Sequence, residues 1–469
     1  MADPVKEAPV FTHEEHGTRE DEWFSDPVWG KVAAVTVDEL PLDGIEQLLV
    51  LAAHPDDETI GAGATIAAVA ARGLEVHFLL ATLGERSHPD SPVWSSEDLA
   101  AQRRAEWEAA TAALAGASVR RTLLGLPDGQ VADHEEALLD AVLEHLRPGT
   151  LLLAPWTEDG HPDHDAVGRV AREAARRNGA SGISTACLHY PVWWWHWNRP
   201  ELVREHLTTA AVLVEPGPDA VRAKHRALEL YPSQQTGLGP GAHHGPVVTP
   251  EVVARARRAF EVFFGSWRPT PGDEASRAGT FDEMYEAGDD PWGWEESWYE
   301  RRRRALVLGI LRRPEYRHVL ELGCGTGLLT AELVRRSEAV TALDVSGRAL
   351  EVAHRRGIEG VDWVHAAVPD GLPEGRFDCV VISELGYFLR PSELLALVRT
   401  VRDRMTDDAE LVLADWRHPT QGIPLDGPLV HELVDAVVGL PRWARYEDPD
   451  VLVEAWSSAE SPATAEGLV

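Results

Sequence analysis

The chain has 469 residues, 44% of them apolar, which is enough for more than one hydrophobic core, so two domains are the default. Its formal net charge of −33 repels phosphate backbones and argues against nucleic-acid binding and docking on anionic membranes. Arginine carries almost all the positive charge (lysine stands only at Lys6, Lys31 and Lys224), and Cys187, Cys324 and Cys379 have neither disulfide-framework nor zinc-finger spacing. Residues 1–28 are charged and weakly patterned and read as a loose arm without the apolar centre of a secretory signal. No apolar run is long enough to span a membrane, and a reducing, cytoplasmic protein is expected.

From residue 45 the pattern turns α/β. QLLVLAA (47–53) predicts a buried parallel strand and TIGAGATIAAVAARG (59–73) a helix; EVHFLLAT (75–82) is the next strand. A capping box, Ser95 to Asp98, opens a long helix over 95–116. TLLLAPW (150–156) is a strand, and a helix follows with Pro162 as its first residue. Pro, Gly, Ser and charges dominate 266–280, which predicts a linker. A second α/β series follows: a helix over about 295–312, strand HVLELG, helix TGLLTAELVRRS, strand AVTALD, helix SGRALEVAHRRG, then strands FDCVVISE and ELVLADW. The expected fold class is α/β, with two Rossmann-like domains over 29–265 and 281–455, each a mostly parallel sheet flanked by helices. Residues 456–469 are expected to form a disordered tail.

The first strand ends abruptly in HPDDE. Ligands of parallel α/β sheets lie beyond the carboxyl ends of strands, and His54, Asp56, Asp57 and Glu58 stand at one such end. TLLLAPW ends in EDGHPDHD, which brings His161, Asp163 and His164 to the same edge. Imidazole with carboxylate suits Zn²⁺, and three protein ligands with one open position mark a catalytic site. His54, Asp57 and His164 are the expected ligands. Asp56 is the candidate base for the attacking water, and His161 the group that steadies an oxyanion and protonates the leaving group.

AHPDDE with a later HPDH resembles the PIG-L (LmbE-like) N-deacetylase family over roughly residues 45–265. The resemblance implies a Rossmann-like fold, one divalent metal (usually zinc, with ferrous iron as the alternative) and hydrolysis of the N-acetyl group of N-acetylglucosaminyl substrates. By the same resemblance Asp163 orients His161, Arg103 of the R-x-x-E pattern contacts the sugar, Asp128 of LPDG lies near sugar hydroxyls, and YPSQ (231–234) is a family segment. One position departs from the family: Asp159 stands where some members place a tyrosine that helps the oxyanion. In HYPVWWWHWNRP, the tryptophans Trp193, Trp194, Trp195 and Trp197 are either an aromatic wall against a sugar ring or core packing. Alternation along a strand would bring one or two of them to the cleft.

In VLELGCGTGLLT a strand ends in Glu321, and Gly323, Gly325 and Gly327 lead into a helix, permitting close backbone approach to a ligand. Leu328 replaces the last glycine of a dinucleotide fingerprint, which disfavours NAD, and Asp344 at the next strand end is placed for ribose hydroxyls. Cys324 reads as a small turn residue and at least two of Arg301 to Arg304 as a solvated helix face. This half resembles class I S-adenosylmethionine (SAM)-dependent methyltransferases over about 281–450, and FDEMYEAGDDPWGWEESWYERRRRALVL is similar to NodS-like N-methyltransferases. The resemblance implies that Glu321, Gly323, Gly325 and Asp344 hold SAM, that Trp292, Tyr299 and Arg302 close over it, and that Glu384 and Tyr387 face the acceptor.

Hydrolysing an amide frees an amine, and methyl transfer needs a lone pair, so the two activities have a chemical order. The expectation is a bifunctional enzyme acting on a small N-acetylated sugar or glycoconjugate. Methylation at oxygen or carbon on a separate pathway step, a non-sugar amide, and a binding-only role for one half remain as alternatives. No oligomeric state follows from the sequence.

Overall fold

The computed structural model describes residues 17–469 apart from 89–90, 92–93, 181–185, 237–244, 266–280, 283–284, 286–289, 291–292, 419 and 421–422. The linker expected at 266–280 and Trp292 therefore lie outside the described residues. The chain divides into two compact units, Met1–Thr270 and Pro271–Val469. No described helix is long and apolar enough to cross a membrane.

The first unit is built on eight strands: β1 (Ala33–Thr36), β2 (Gln47–Ala52), β3 (Glu75–Leu80), β4 (Arg120–Leu123), β5 (Thr150–Pro155), β6 (Ala186–Tyr190), β7 (Ala211–Glu215) and β8 (Glu261–Gly265). Their order across the sheet is β1-β7-β8-β6-β5-β2-β3-β4, and only β8 runs antiparallel to its neighbours. Every residue of β2 and β5 is buried, as two-face coverage by helices requires. The chain passes from β2 to β3 on one side and returns later to β5 on the other. The ends of β2 and β5 therefore flank a topological switch point, where such sheets bind ligands. The helix Asp57–Ala71 leaves β2 at once and lies tight on the sheet: a Cβ at Gly61 would come within 2.2 Å of the Tyr190 ring.

The N-terminal segment is a correction to the expected loose arm of residues 1–28. Residues 1–16 lie outside the described residues, but Glu20–Ser25 is helical and Pro27–Gly30 a 3₁₀ turn. Trp23 and Trp29 are fully buried; Trp23 Nε1 donates to the Trp195 carbonyl at 3.0 Å, and its ring stacks on Trp194. Two tryptophans bury enough apolar surface to order a segment whose average composition is charged.

The second unit holds seven strands: β9 (Tyr316–Leu322), β10 (Ser337–Asp344), β11 (Val361–His365), β12 (Phe377–Ser383), β13 (Met405–Trp416), β14 (Arg442–Glu447) and β15 (Val451–Trp456). The order is β11-β10-β9-β12-β13-β15-β14, parallel except for the pairings of β15 with β13 and β14. Its switch point lies between β9 and β12. The helix expected over 326–337 is shorter, Thr330–Leu333 followed by the 3₁₀ turn Val334–Arg336, because the glycine loop takes up the preceding residues and β10 begins at Ser337. The tail is also corrected. Trp456 is fully buried at the end of β15, Ser457 Oγ donates to the Ala409 carbonyl at 2.9 Å, and Pro462–Ala465 is a helical turn capped by Ser461.

Candidate active sites

At the first switch point, Asp57 opens its helix and turns its carboxylate back onto the strand end. Its Oδ2 accepts from the backbone N–H groups of Ala53 (3.1 Å) and His54 (2.8 Å), and its Oδ1 stands 3.2 Å from His164 Nε2. His54 Nδ1 is 3.2 Å from His164 Nε2 and 3.6 Å from Asp57 Oδ2. Three ligand atoms from two strand ends thus converge. Donors about 2.0–2.2 Å from a tetrahedral zinc would stand about 3.3–3.5 Å from one another. Buried carboxylates favour positive charge here: burial opposes charge on both rings, but Asp128, Asp163 and Asp57 hold His54 well above the ordinary imidazole range, and Asp57 and Asp159 lift His164 to about 10. Two protons cannot both occupy the 3.2 Å gap between the facing nitrogens. A divalent cation meets both demands, so these residues fit one. Two other groupings bring possible ligand atoms within 4.8 Å of one another, His54 with His161 and His164, and His54 with Asp128 and Asp163, and neither includes Asp57.

The outer bonds of both rings are carboxylates, the arrangement that orients metal-binding imidazoles. His164 Nδ1 pairs with Asp159 Oδ2 at 2.7 Å. Asp159 is fully buried and also accepts from the N–H groups of Val192 (2.7 Å), Trp193 (2.9 Å) and Trp194 (3.0 Å). The expectation reached Asp159 only as a departure from the family pattern; the need of His164 for an outer carboxylate could have found it. Asp163 Oδ2 is 3.2 Å from His54 Nε2 and accepts from Gly129 N at 2.8 Å. This corrects the expected role of Asp163 as the carboxylate that orients His161. His161 precedes the helix that Asp163 belongs to, and the Asp163 backbone N–H donates to His161 Nδ1 at 3.2 Å while its carboxylate faces His54. That bond leaves the proton of a neutral His161 on Nε2. Burial, then the neighbouring His164 and His54, hold this ring well below the usual imidazole range.

Asp56 has φ 113°, a left-handed backbone that a non-glycine residue adopts only under constraint. Asp56 is buried, and burial pushes its carboxyl up to about 8. Arg103, also buried, stands 3.5 Å from it and donates to the carbonyls of Pro55 and Gly84, each at 3.0 Å, so it holds the Asp56 turn. Glu106, the acid of R-x-x-E, accepts from Ser233 Oγ at 2.6 Å, and Tyr231 donates to Glu58 at 2.7 Å. The YPSQ segment is therefore a support layer behind the site. His54, Asp56, Asp57, Arg103, Asp128 and His161 line a cavity of about 420 Å³, with Ile60, Val192, Trp193 and Val248 as its apolar wall. Asp128 Oδ1 is 3.2 Å from His54 Nε2. Of the four clustered tryptophans only Trp193 reaches this cavity. Trp194 and Trp195 pack on Trp23, and the group lies around a helical turn, Trp194–Trp197, rather than on a strand.

In the second unit Glu321 is the second-last residue of β9 and accepts from Thr330 Oγ1 at 2.6 Å; burial pushes it up to about 8. Asp344 ends β10 and accepts from the N–H groups of Gly325 (2.8 Å) and Ser346 (2.9 Å). Gly323, Gly325 and Gly327 all have positive φ. A Cβ at Gly325 would come within 2.8 Å of the Trp294 ring, so only glycine allows this close cover. A bare backbone cradle between two strand-end carboxylates fits a ligand offering hydroxyl and ammonium donors, as SAM does. Glu384 follows β12 with φ 57°; Asp56 and Glu384 are the two non-glycine residues with positive φ among the described residues. Tyr387 donates its hydroxyl to Glu384, and burial pushes that carboxyl up to about 7.

Tyr299 buries its hydroxyl without a partner, its ring edge-on to Trp416. Arg302 pairs with Asp448 at 2.6 Å and bonds Tyr446, so its contacts are with the β14–β15 connection. Arg303 and Arg304 are buried, with Arg303 3.5 Å from Glu384 and bonded to Glu300 at 2.5 Å. Sequence reasoning did not single out Arg303; a run of four arginines on a helix must turn some of them inward.

Residues 49–175 match the family described as PIG-L: GlcNAc-PI de-N-acetylase, and residues 281–420 match the family described as Nodulation protein S (NodS). The chain is 36% identical over 165 residues to a 1D-myo-inositol 2-acetamido-2-deoxy-alpha-D-glucopyranoside deacetylase of Catenulispora acidiphila, covering 30% of this chain and 54% of the relative. It is 30% identical over 135 residues to Nodulation protein S of Bradyrhizobium diazoefficiens, covering 28% of this chain and 65% of the relative. The chain thus spans between half and two thirds of these curated relatives. A solved N-methyltransferase NodS from Bradyrhizobium japonicum, in complex with S-adenosyl-L-homocysteine (SAH), is 22% identical with a TM-score of 0.36, covering 39% of this chain and 98% of that one.

Proposed function

We propose that this chain, which joins a PIG-L deacetylase domain to a NodS-like methyltransferase domain, removes the acetyl group of a small N-acetylated sugar or glycoconjugate and then methylates the freed amine. The observation that carries the first step is the convergence of His54, Asp57 and the fully buried His164 at the floor of a cavity that His54, Asp57 and the strained Asp56 line. A zinc or ferrous ion held by those three residues would supply a Lewis acid for the acetyl carbonyl and the attacking water. Asp56 takes the proton of that water, since its burial makes a carboxylate basic enough near neutral pH. His161, neutral with its proton on Nε2, steadies the oxyanion and delivers the proton to the leaving nitrogen. Arg103 keeps the Asp56 turn in place, and Trp193 with Val192 offers an apolar face to the sugar ring.

For the second step, Glu321, Asp344 and the glycine loop between them would hold SAM, which would supply an electrophilic methyl group. The protein's part is to hold the acceptor nitrogen in line with it, chiefly by proximity and orientation. Glu384 and Tyr387 are the groups on the acceptor side. The order of steps follows from chemistry: an acetylated nitrogen is a poor nucleophile, and the free amine is a good one. Three cysteines without a disulfide suit a reducing, cytoplasmic compartment.

The test follows product masses with N-acetylglucosaminyl acceptors, metal and SAM. Wild type should lose acetyl and then gain methyl; Asp344→Ala should stop at the amine, and Asp56→Ala should do neither. Methylation of a still-acetylated product by Asp56→Ala would sink the sequential reading and favour methyl transfer to oxygen or carbon.

A further inference from the structure

Behind the acceptor-side acids lies a second buried charge cluster that the mechanism above does not use. Asp415 sits near the end of β13, the strand beside β12, and Glu384 is tied to that strand through its N–H to the Ala414 carbonyl at 3.0 Å. Asp415 is fully buried, yet neither carboxylate oxygen has a hydrogen-bond partner among the described residues. Its nearest charge is His431 Nε2 at 3.3 Å, within ion-pair reach but without hydrogen-bond alignment. The other ring nitrogen of His431 bonds Glu454 at 2.8 Å, and Glu454 is also held by Arg442 (2.7 Å) and Arg445 (2.6 Å). A structural strut would be complete with Glu454, its histidine and two arginines. Asp415 adds a second carboxylate at full desolvation cost and leaves it wanting donors. Glu384 Oε1 also lacks a hydrogen bond, with Arg303 Nε facing it at 3.5 Å, and the charge of Asp415 is felt at Glu384, Tyr387 and Tyr299.

Three orphaned acceptor atoms on two strand ends call for a ligand rich in donors. An amino group brings two or three N–H donors, a hydroxyl one and a carbon acceptor none. We propose that Asp415, braced by His431 and Glu454, is a catalytic carboxylate of methyl transfer: with Glu384 it grips the acceptor's amino group and takes the proton that leaves its nitrogen. The proposal rests on the amine reading above. In the step the nitrogen lone pair forms the N–CH₃ bond while the S–CH₃ bond breaks with its electron pair passing to sulfur. Sulfonium becomes thioether, one proton moves from nitrogen to Asp415, and the carboxylate becomes the neutral acid. His431 and Glu454 are positioning residues. Burial opposes a charge on His431, but Asp415 and Glu454 outweigh it, so the ring is held as a cation 3.3 Å from Asp415 and fixed on its other side by Glu454.

The test uses the full chain and glucosamine, supplied as the free amine so that deacetylation plays no part. Three quantities are read for wild type, Asp415→Asn and His431→Gln: SAH affinity, glucosamine affinity of the SAH-loaded chain by calorimetry, and kcat and KM of methyl transfer. Asp415→Asn should keep SAH affinity within about twofold, weaken glucosamine binding and lower kcat by about 100-fold, the range for a lost acid–base group. His431→Gln should lower kcat by about tenfold with a smaller change in KM. Glucosamine bound and methylated equally by wild type and Asp415→Asn would overturn the role of Asp415 alone. No glucosamine binding by the wild type would overturn the amine reading itself. Should Asp415→Asn fail to hold SAH, the wild type decides: adding glucosamine to the SAH-loaded chain should move the His431 ring resonances, and unmoved resonances would overturn the assignment.

Discussion

The two units place a strained acid in the same way and surround it in opposite ways. Asp56, buried, and Glu384, partly buried, each follow a central strand with positive φ, and desolvation shifts both carboxyls upward. Around Asp56 the ligand-like groups are already engaged: Asp57, Asp159 and Asp163 accept backbone N–H groups and face imidazoles. Around Glu384, acceptors are left open on Glu384 itself and on Asp415. On the reading proposed above, a site that keeps one ion benefits from ligands locked by their own partners, and a site through which two substrates pass leaves its bonds for the substrates to make.

The largest effect should come from breaking the locked site. Asp57→Ala should abolish metal retention and deacetylation together, whereas Asp56→Ala should keep the metal and lose deacetylation by about 10³-fold. Metal analysis beside acetate release reads both, and methylation of supplied glucosamine should stay unchanged in either variant. A smaller loss is expected from Asp159→Asn, which keeps shape but removes the charge behind His164. Metal affinity should fall about 10–100-fold by chelator competition; an unchanged affinity would mean that His164 is not a ligand.

The gentlest difference is in pH. In the second unit burial raises Glu321 to about 8 and both Glu384 and Glu410 to about 7. The folded form of each then holds a proton that the unfolded form releases above the ordinary carboxyl range. The stability they contribute is full below about pH 4.5 and is lost as pH rises through 7 and 8. In the first unit, away from the cluster of His54, His161 and His164, burial lowers His77, His189 and His225 to about 4. Their contribution is full above about pH 6.5 and is lost as pH falls toward 4. The unfolding transition that SAH raises should therefore move down in temperature from pH 5 to 8, and Glu321→Gln should flatten that slope. A slope unchanged in Glu321→Gln would count against its buried proton.

The residues that the structure gathers at both candidate sites were legible because each motif is local. HPDDE, HPDH and the glycine loop sit at strand ends that apolar runs announce, and parallel sheets direct such ends to one edge. What was not legible depends on partners far away in sequence. Trp23 belongs to Trp194 and Trp195, Arg303 to Ser383 and Glu384, and β15 to β13. Asp163 shows the intermediate case: neighbourhood in sequence paired it with His161, and helix geometry sent its carboxylate to His54.

The packing of the N-terminal segment bears on how this protein can be trimmed. Thr18 Oγ1 donates to the Asn198 carbonyl at 2.6 Å, Glu20 pairs with Arg258 at 2.7 Å, and Trp23 and Trp29 sit within the aromatic group around Trp195. A chain cut back to the first apparent strand near residue 45 would leave a large aromatic surface facing water and would tend to aggregate, even with every catalytic side chain present. Cleavage boundaries and affinity handles for the isolated first unit therefore belong upstream of Gly17.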